Sequence, residues 1–202
     1  PRETSERIRM SKRPEVTPAM EQFLRFKSEH PDSILLFRMG DFYETFHEDA
    51  VEVSKLLGLT LTSRNNGRSD KVPMAGVPHH ALDMYLSRLI RAGKRVAICE
   101  QMEAPQKGKA VVRREVVQVV SPGTALSDNL LEQKQNNFLV GICVEGDQAG
   151  LATVDLSTGL FRVAERDPKE LWDALERIAP AEVLAPRTWV EANEATCAER
   201  LP

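Results

Sequence analysis

The sequence predicts an α/β protein of two units: a mixed-sheet α/β domain, followed by part of a second α/β domain. Three observations carry that expectation. Strand-like runs alternate with amphipathic helical stretches through the first 125 or so residues. From about residue 136 the pattern changes to three strands at hairpin spacing. Between the two lies the polar tract SDNLLEQKQNN, expected as a linker over 126–135 with slight helical character. At 202 residues the chain is long enough to bury two small cores.

The elements follow in order. PRETSERIRMSKRPEVTP has no apolar core of a secretory signal, and residues 1–16 are expected as a disordered polar lead-in. TPAMEQFLRFKSEH reads as a helix, with Thr17 at the cap, Pro18 in the first turn, and Pro31 ending it. SILLFRMGDFYETF reads as one strand, although a Gly-Asp turn signal sits inside it. By alternation Leu35, Phe37 and Met39 then share one face; Arg38, Gly40, Phe42 and Glu44 share the other. EDAVEVSKLLG is a helix with an acidic first turn and Gly58 at its end. LTLTS is a short strand, RNNGRSD a loop or hairpin tip, and PMAG (73–76) a loop. HHALDMYLSRLIRAG carries an apolar stripe of Leu82, Tyr85, Leu86, Leu89 and Ile90, stopped by Gly93. RVAICEQ and REVVQVVSPGT are strands. Beyond the linker, FLVGICVE, GLATVDL and GLFRVAE precede a helix capped by Asp167 with Pro168 behind it, and EVLAP closes a βββαβ order.

Composition narrows the function classes. No apolar run reaches the 18 or so residues that span a bilayer. Three cysteines with no C-x-x-C pair argue against a disulfide framework or a zinc site and for a reduced, cytoplasmic protein. Cys99 and Cys143 are expected as small buried hydrophobes. The net charge of −3 conceals an asymmetry: residues 1–134 hold 21 Lys+Arg against 18 Asp+Glu, and residues 135–202 hold 6 against 12. A polyanion-binding surface therefore belongs to the first unit, which has the basic clusters RNNGRSDK and KGKAVVRR. Arg38, Arg64, Arg68, Lys71, Lys107, Lys109, Arg113 and Arg114 are candidate phosphate contacts, though such clusters are also ordinary solvated loops.

Catalytic signatures are missing. There is no phosphate-binding G-x-x-x-x-G-K-[ST], no G-x-G-x-x-G after a strand and no H-E-x-x-H. His79 and His80 are adjacent, so they point apart and cannot chelate from one helix face; they are expected to start the helix, one buried or on a phosphate. Asp41, Glu44, Glu48 and Asp49 form a carboxylate cluster of the kind that two-metal nucleases use, but Glu48 and Asp49 have a simpler role at a helix N-terminus. On the residues alone, Phe42 reads as a core aromatic pairing with Phe46.

The long segments TPAMEQFLRFKSEHPDSILLFRMGDFYETFHEDA, LGLTLTSR, VPMAGVPHHALDMYLSRLIRAGKRVAICEQ, REVVQVVSPGT and NFLVGICVEGDQAGLATVDLSTGLFRV, in that order, resemble the MutS family of DNA mismatch-recognition proteins over most of residues 17–165. The resemblance implies a mismatch-binding domain over 17–125 and part of a ribonuclease-H-like connector domain over 136–202. Its Phe-x-Glu element falls on Phe42-Tyr43-Glu44: Phe42 would enter the minor groove and stack on a mispaired or unpaired base, and Glu44 would hydrogen-bond that base. Met39, Asp41 and the PMAG segment would shape the surroundings, and Tyr43 would pack in the core.

For this fragment the resemblance implies no cofactor and no catalysis. The full-length family protein uses ATP/ADP and Mg through further domains. The implied partners are mismatched double-stranded DNA, a second copy in the full-length homodimer and downstream repair proteins at the connector. The implied location is a bacterial-type cytoplasm, on the nucleoid. Two other classes compete: a metal-dependent nuclease built on Asp41 and Glu44, with Glu145 and Asp155 as the acids of the second unit, and a protein-docking module using acidic residues 135–202.

Overall fold

A computed structural model describes residues 16–65, 71–104, 111–126 and 136–201. The lead-in up to residue 15, Arg68, Lys107, Lys109 and most of the expected linker lie outside the described residues.

The first unit is built on a hairpin. SILLFRMGDFYETF forms two strands, β1 (Ile34–Met39) and β2 (Phe42–Phe46), where one was expected. Gly40 takes φ +62° at the first of two loop positions. A two-residue hairpin loop needs positive φ there to match the strands' twist, and glycine supplies it without a Cβ clash. The fold corrects the expected faces as well. Phe37 opposes Glu44, Arg38 opposes Tyr43 and Met39 opposes Phe42. Phe42 and Glu44 therefore share the face of Phe37 and Met39, and Arg38 lies on the opposite face with Tyr43.

Around this hairpin, β3 (Thr62–Asn65), β4 (Lys71–Pro78), β5 (Val96–Gln101) and β6 (Arg114–Val120) complete a six-stranded sheet in the order β3-β4-β2-β1-β5-β6. Only β1 and β5 pair in parallel. PMAG, expected as a loop, is part of β4, which lies between β3 and β2. Pro73 and Pro78 hid that strand, because proline lacks the ladder donor and usually marks a turn.

Three helices cover the sheet. α1 (Pro18–Glu29) lies on one face, where Met20, Phe23 and Phe26 pack on Leu35, Phe37, Phe46 and Cys99. Edge-to-face contacts centre on Phe23, 5.8 Å from Phe37 and 4.9 Å from Phe46. α2 (His47–Leu57) and α3 (Leu82–Arg91) cover the other face, packing on Ile34, Leu36, Tyr43, Ala75 and Val77. The α3 stripe is as expected: Leu86, Leu89 and Ile90 are buried, with Leu82 and Tyr85 partly so. β1 is thus buried on both faces, which suits its unbroken apolar run.

Asp49 does more than favour a helix N-terminus. Its buried carboxylate accepts from Lys27 Nζ at 2.8 Å and from the Leu35 amide at 3.0 Å, joining α1, β1 and α2. On β2, the Thr45 hydroxyl is buried with no hydrogen-bond partner among the described residues.

The second unit has the expected βββαβ order: β7 (Phe138–Glu145), β8 (Gln148–Asp155), β9 (Leu160–Arg166), α4 (Leu171–Ile178) and β10 (Glu182–Leu184). Its sheet order is β10-β7-β8-β9, with β10 parallel to β7. Val140, Ile142, Ala149 and Leu151 pack against Leu171, Ala174 and Leu175 of α4. α5 (Arg187–Ala192) and α6 (Glu194–Arg200) follow, where only a polar segment was expected. Cys99 is buried as expected, and burial pushes its thiol up to about 12, but Cys143 is exposed on β7. A tight turn at Pro122–Thr124 joins the units: the Ser121 hydroxyl and the Gly123 amide both donate to the Glu182 carboxylate.

Two substitutions test this account of the core in urea titrations. Asp49→Ala leaves Lys27 and the Leu35 amide without their acceptor and should cost about 2–4 kcal/mol. Thr45→Val removes the unsatisfied hydroxyl at constant shape and should raise stability by about 1 kcal/mol.

Candidate nucleic-acid interface

The turn end of the β1–β2 hairpin is where the α1 face of the sheet opens to solvent. Along β2 the residues on this face run from exposed Phe42, through half-buried Glu44, to buried Phe46 beneath Phe23. Phe42 is 48% exposed, unusual for a phenylalanine on a strand. Its cross-strand neighbours are Met39 on one side and Pro78 on the other. Asp41 is exposed in the turn, and its carbonyl accepts from the His79 amide at 2.9 Å. His79 and His80 start the turn before α3 as expected, but both are exposed, with ring centroids 6.0 Å apart.

Glu44 faces Gly76 across the β2–β4 pair. The glycine leaves open space beside the carboxyl and the ring: a Cβ there would lie 3.8 Å from Glu44 Cγ and 4.0 Å from Phe42 Cδ1. From β3, Arg64 Nη1 donates to Glu44 Oε2 at 2.5 Å. Burial raises the Glu44 pKa above the usual carboxylate value, and the Arg64 guanidinium opposes that rise; Arg114 adds a weaker downward pull. A protonated carboxyl can donate a hydrogen bond as well as accept one, whereas an ionised one only accepts.

The basic candidates separate. Arg64 is half-exposed beside Glu44, and Lys71 is exposed one pair further along the β3–β4 hairpin. Arg113 is exposed and paired with Glu115. Arg38 lies on the other face, 3.6 Å from Glu100, stacked 5.4 Å from the Tyr43 ring, and donating to the Gly40 carbonyl. Tyr43 is buried as expected; burial and its hydrogen bond to Glu100 push its phenol up to about 12. Arg114 is buried under Met39, so its expected place among the surface cations is corrected.

The carboxylates do not form a metal centre. Glu44 faces Arg64, Asp49 is consumed by Lys27 and Leu35, and Asp41 is in the turn. Among the described residues no group of three or more His, Cys, Asp or Glu is arranged to hold a metal ion. In the second unit Asp155 is fully buried and accepts from the Ser157 amide and hydroxyl and from the Asn137 and Thr158 amides; these bonds, led by the Ser157 hydroxyl, lower its pKa. It organises a turn, and Glu145 is exposed at the far end of β7.

Residues 17–129 match the family model for MutS domain I, and residues 137–201 match the model for MutS domain II. The chain belongs to the MutS family. Proteins named DNA mismatch repair protein MutS are similar to it over most of its length. The one from Methanothrix thermoacetophila is 49% identical over 172 residues, covering 85% of this chain and 20% of that protein. The one from Salinibacter ruber is 51% identical over 180 residues, covering 87% and 20%. The one from Desulfatibacillum aliphaticivorans is 47% identical over 189 residues, covering 93% and 21%. The chain therefore spans about a fifth of the length of the MutS relatives it matches.

Gly76 belongs to the PMAG segment expected to shape the surroundings, although in a strand rather than a loop; sequence reasoning missed Glu100, an unremarkable end of a strand, and the buried role of Arg114, which RR in a basic run disguises.

The Glu44–Arg64 pair yields a pH prediction. The folded carboxyl holds its proton more tightly than an unfolded one, so stability falls as pH rises from the ordinary carboxylate pKa through the raised one. Arg64→Gln removes the opposing charge, so Glu44 should titrate higher still and the fall should extend to higher pH. Carboxyl-carbon NMR titration reads the first effect, and urea midpoints against pH read the second.

Proposed function

We propose that this chain is the lesion-recognising part of a MutS-type mismatch-repair protein, and that it detects mispaired or unpaired bases in duplex DNA by inserting the Phe42 ring into the minor groove. The observation that carries this reading is the exposure of Phe42 at the open end of a rigid hairpin, next to a carboxyl of raised pKa. Domain I spans 17–125, the linker 126–135 and the connector 136–202 in this reading.

The energetics suit a reader of deformability. Unstacking a base step costs a few kcal/mol, and less where pairing is already broken. Stacking the freed base on an aromatic ring returns about 1–3 kcal/mol. The balance is favourable at a mismatch and unfavourable in sound duplex, whichever bases are mispaired. Glu44 adds a check: beside the polyanion its pKa rises further, and as an acid it donates to a base acceptor, whereas its charged form repels ordinary duplex. Arg64 serves as a phosphate contact on this face, with Lys71 from the other face of β4 and Arg68, Lys107 and Lys109 as further candidates; Met39, Asp41 and Gly76 bound the approach.

In the full-length protein, recognition would be coupled to ATP/ADP and Mg in other domains, to homodimer formation and to downstream repair proteins at the connector. This part acts as a binding module and not as an enzyme, on chromosomal DNA in the cytoplasm. No described helix is long and apolar enough to cross a membrane.

Titrating full-length protein with matched and single-mismatch duplexes tests the reading. Phe42→Ala should cut the mismatch-over-match affinity ratio by about 10- to 100-fold. Glu44→Gln should narrow the ratio by keeping or strengthening matched binding. An unchanged ratio in Phe42→Ala removes the ring from this role, and a wider ratio in Glu44→Gln removes the carboxyl.

A further inference from the structure

We infer that Arg114 is a positioning residue for the Phe42 probe; the inference rests on the reading of Phe42 given above. Three observations carry it. First, Arg114 is only 6% exposed, and the acceptors it reaches among the described residues are all neutral: the Arg38 carbonyl at 2.8 Å, the Met39 sulfur at 3.2 Å, Gln22 Oε1 at 3.2 Å and the Val112 carbonyl at 3.1 Å. A buried guanidinium without a carboxylate at hydrogen-bond distance is costly, and its place needs a reason.

Second, the strand ladder stops where the fork begins. β1 pairs with β5 only as far as Phe37 opposite Cys99, two residues short of the hairpin's end. β5 itself runs on to Gln101, but Arg38 and Met39, the last residues before the turn, form no ladder pair with it. From the first residue of β6, the Arg114 side chain crosses the Phe37 ring, with its guanidinium carbon 4.6 Å from the ring centroid, and takes up both the Arg38 carbonyl and the Met39 sulfur. It supplies contacts at the base of the turn where the β1–β5 ladder pairs have stopped.

Third, Met39 is directly opposite Phe42. Fixing the Arg38 carbonyl and the Met39 side chain fixes the platform on which the probe ring rests. A lysine supplies the charge at this point but not a planar fork that reaches several acceptors at once.

The full-length protein tests this with matched duplex and with single-mismatch duplex carrying 2-aminopurine beside the lesion. Arg114→Lys should lower the mismatch-over-match ratio by about 10-fold and reduce the fluorescence gain that reports base unstacking. The slope of log affinity against log salt should stay at the parental value, since the lost fork touches no phosphate. Adding Phe42→Ala to Arg114→Lys should cause less further loss than Phe42→Ala does alone.

Gln22→Ala removes one acceptor and leaves the buried cation in place; it should give a smaller loss in the same direction, and it decides the matter if melting shows that Arg114→Lys does not fold. A parental ratio and fluorescence gain in folded Arg114→Lys, or in Gln22→Ala where the lysine variant fails to fold, overturns the inference. So does a salt slope reduced by about one, which would make Arg114 a phosphate contact. Phe42→Ala alone separates the two levels. If it keeps the parental ratio, the base-probe reading fails; if it loses the ratio while Arg114→Lys keeps it, only the positioning role fails.

Discussion

The register of the β1–β2 hairpin governs what this protein presents to its surroundings. Side chains on a strand alternate, so a slip of one residue would bury Phe42 and Glu44 and expose Tyr43 and Thr45. Burial of β1 on both faces resists such a slip, because Ile34 and Leu36 pack under α2 and α3 while Leu35 and Phe37 pack under α1. The Asp49 carboxylate fixes the start of the strand, and Gly40 sets the geometry of its end. An aromatic ring can remain half in water at this place because so much else in the hairpin cannot move.

The two faces of the same hairpin end are treated differently. On one, Arg38, Tyr43 and Glu100 satisfy one another, and Tyr43 is sealed in the core. On the other, α1 covers Phe46 and Phe37 but leaves Phe42 open, and Gly76 puts no side chain beside it. A glycine in mid-strand weakens a sheet, and the space at Gly76 would admit a Cβ at ordinary contact distances. The fold does not require a glycine there, whereas the close approach of a ligand's backbone would benefit from one.

Much of the fold was legible in the sequence because its elements obey their own periods. The α3 stripe, the β5 and β6 runs, and the βββαβ order of the second unit all follow from local pattern. What escaped depends on contacts distant in the chain. The Gly-Asp signal at 40–41 was visible, but an unbroken apolar run overrode it, and the face of Arg38 was misassigned as a result. The same pair at Gly146–Asp147 turns β7 into β8, again with positive φ at the glycine. Pro73 and Pro78 concealed β4 because proline's usual meaning is a break. Cys143 lies in an apolar run but points from the face that α4 does not cover. For the site, Phe42 and Glu44 were found through resemblance, since from residue chemistry alone a phenylalanine on a strand belongs in a core. Arg114 was expected among the phosphate contacts and is buried instead, because RR in a basic stretch does not reveal that one side chain points out and the next points in.

On the proposed reading the open face puts a carboxylate beside a polyanion, and two cations temper its charge. Glu44 alone would be a poor neighbour for phosphate. Arg64 contacts it directly, and Arg114 acts from below through a medium of low dielectric. Both cations favour the ionised form, and burial, the larger influence, favours the neutral one. On the proposed reading, a phosphate docking beside the carboxyl would favour the neutral form further. On that reading, protonation of Glu44 would weaken its ion pair with the half-exposed Arg64 and leave that cation available to a phosphate. A single protonation would then exchange an internal ion pair for one hydrogen bond to a base and one contact to a phosphate.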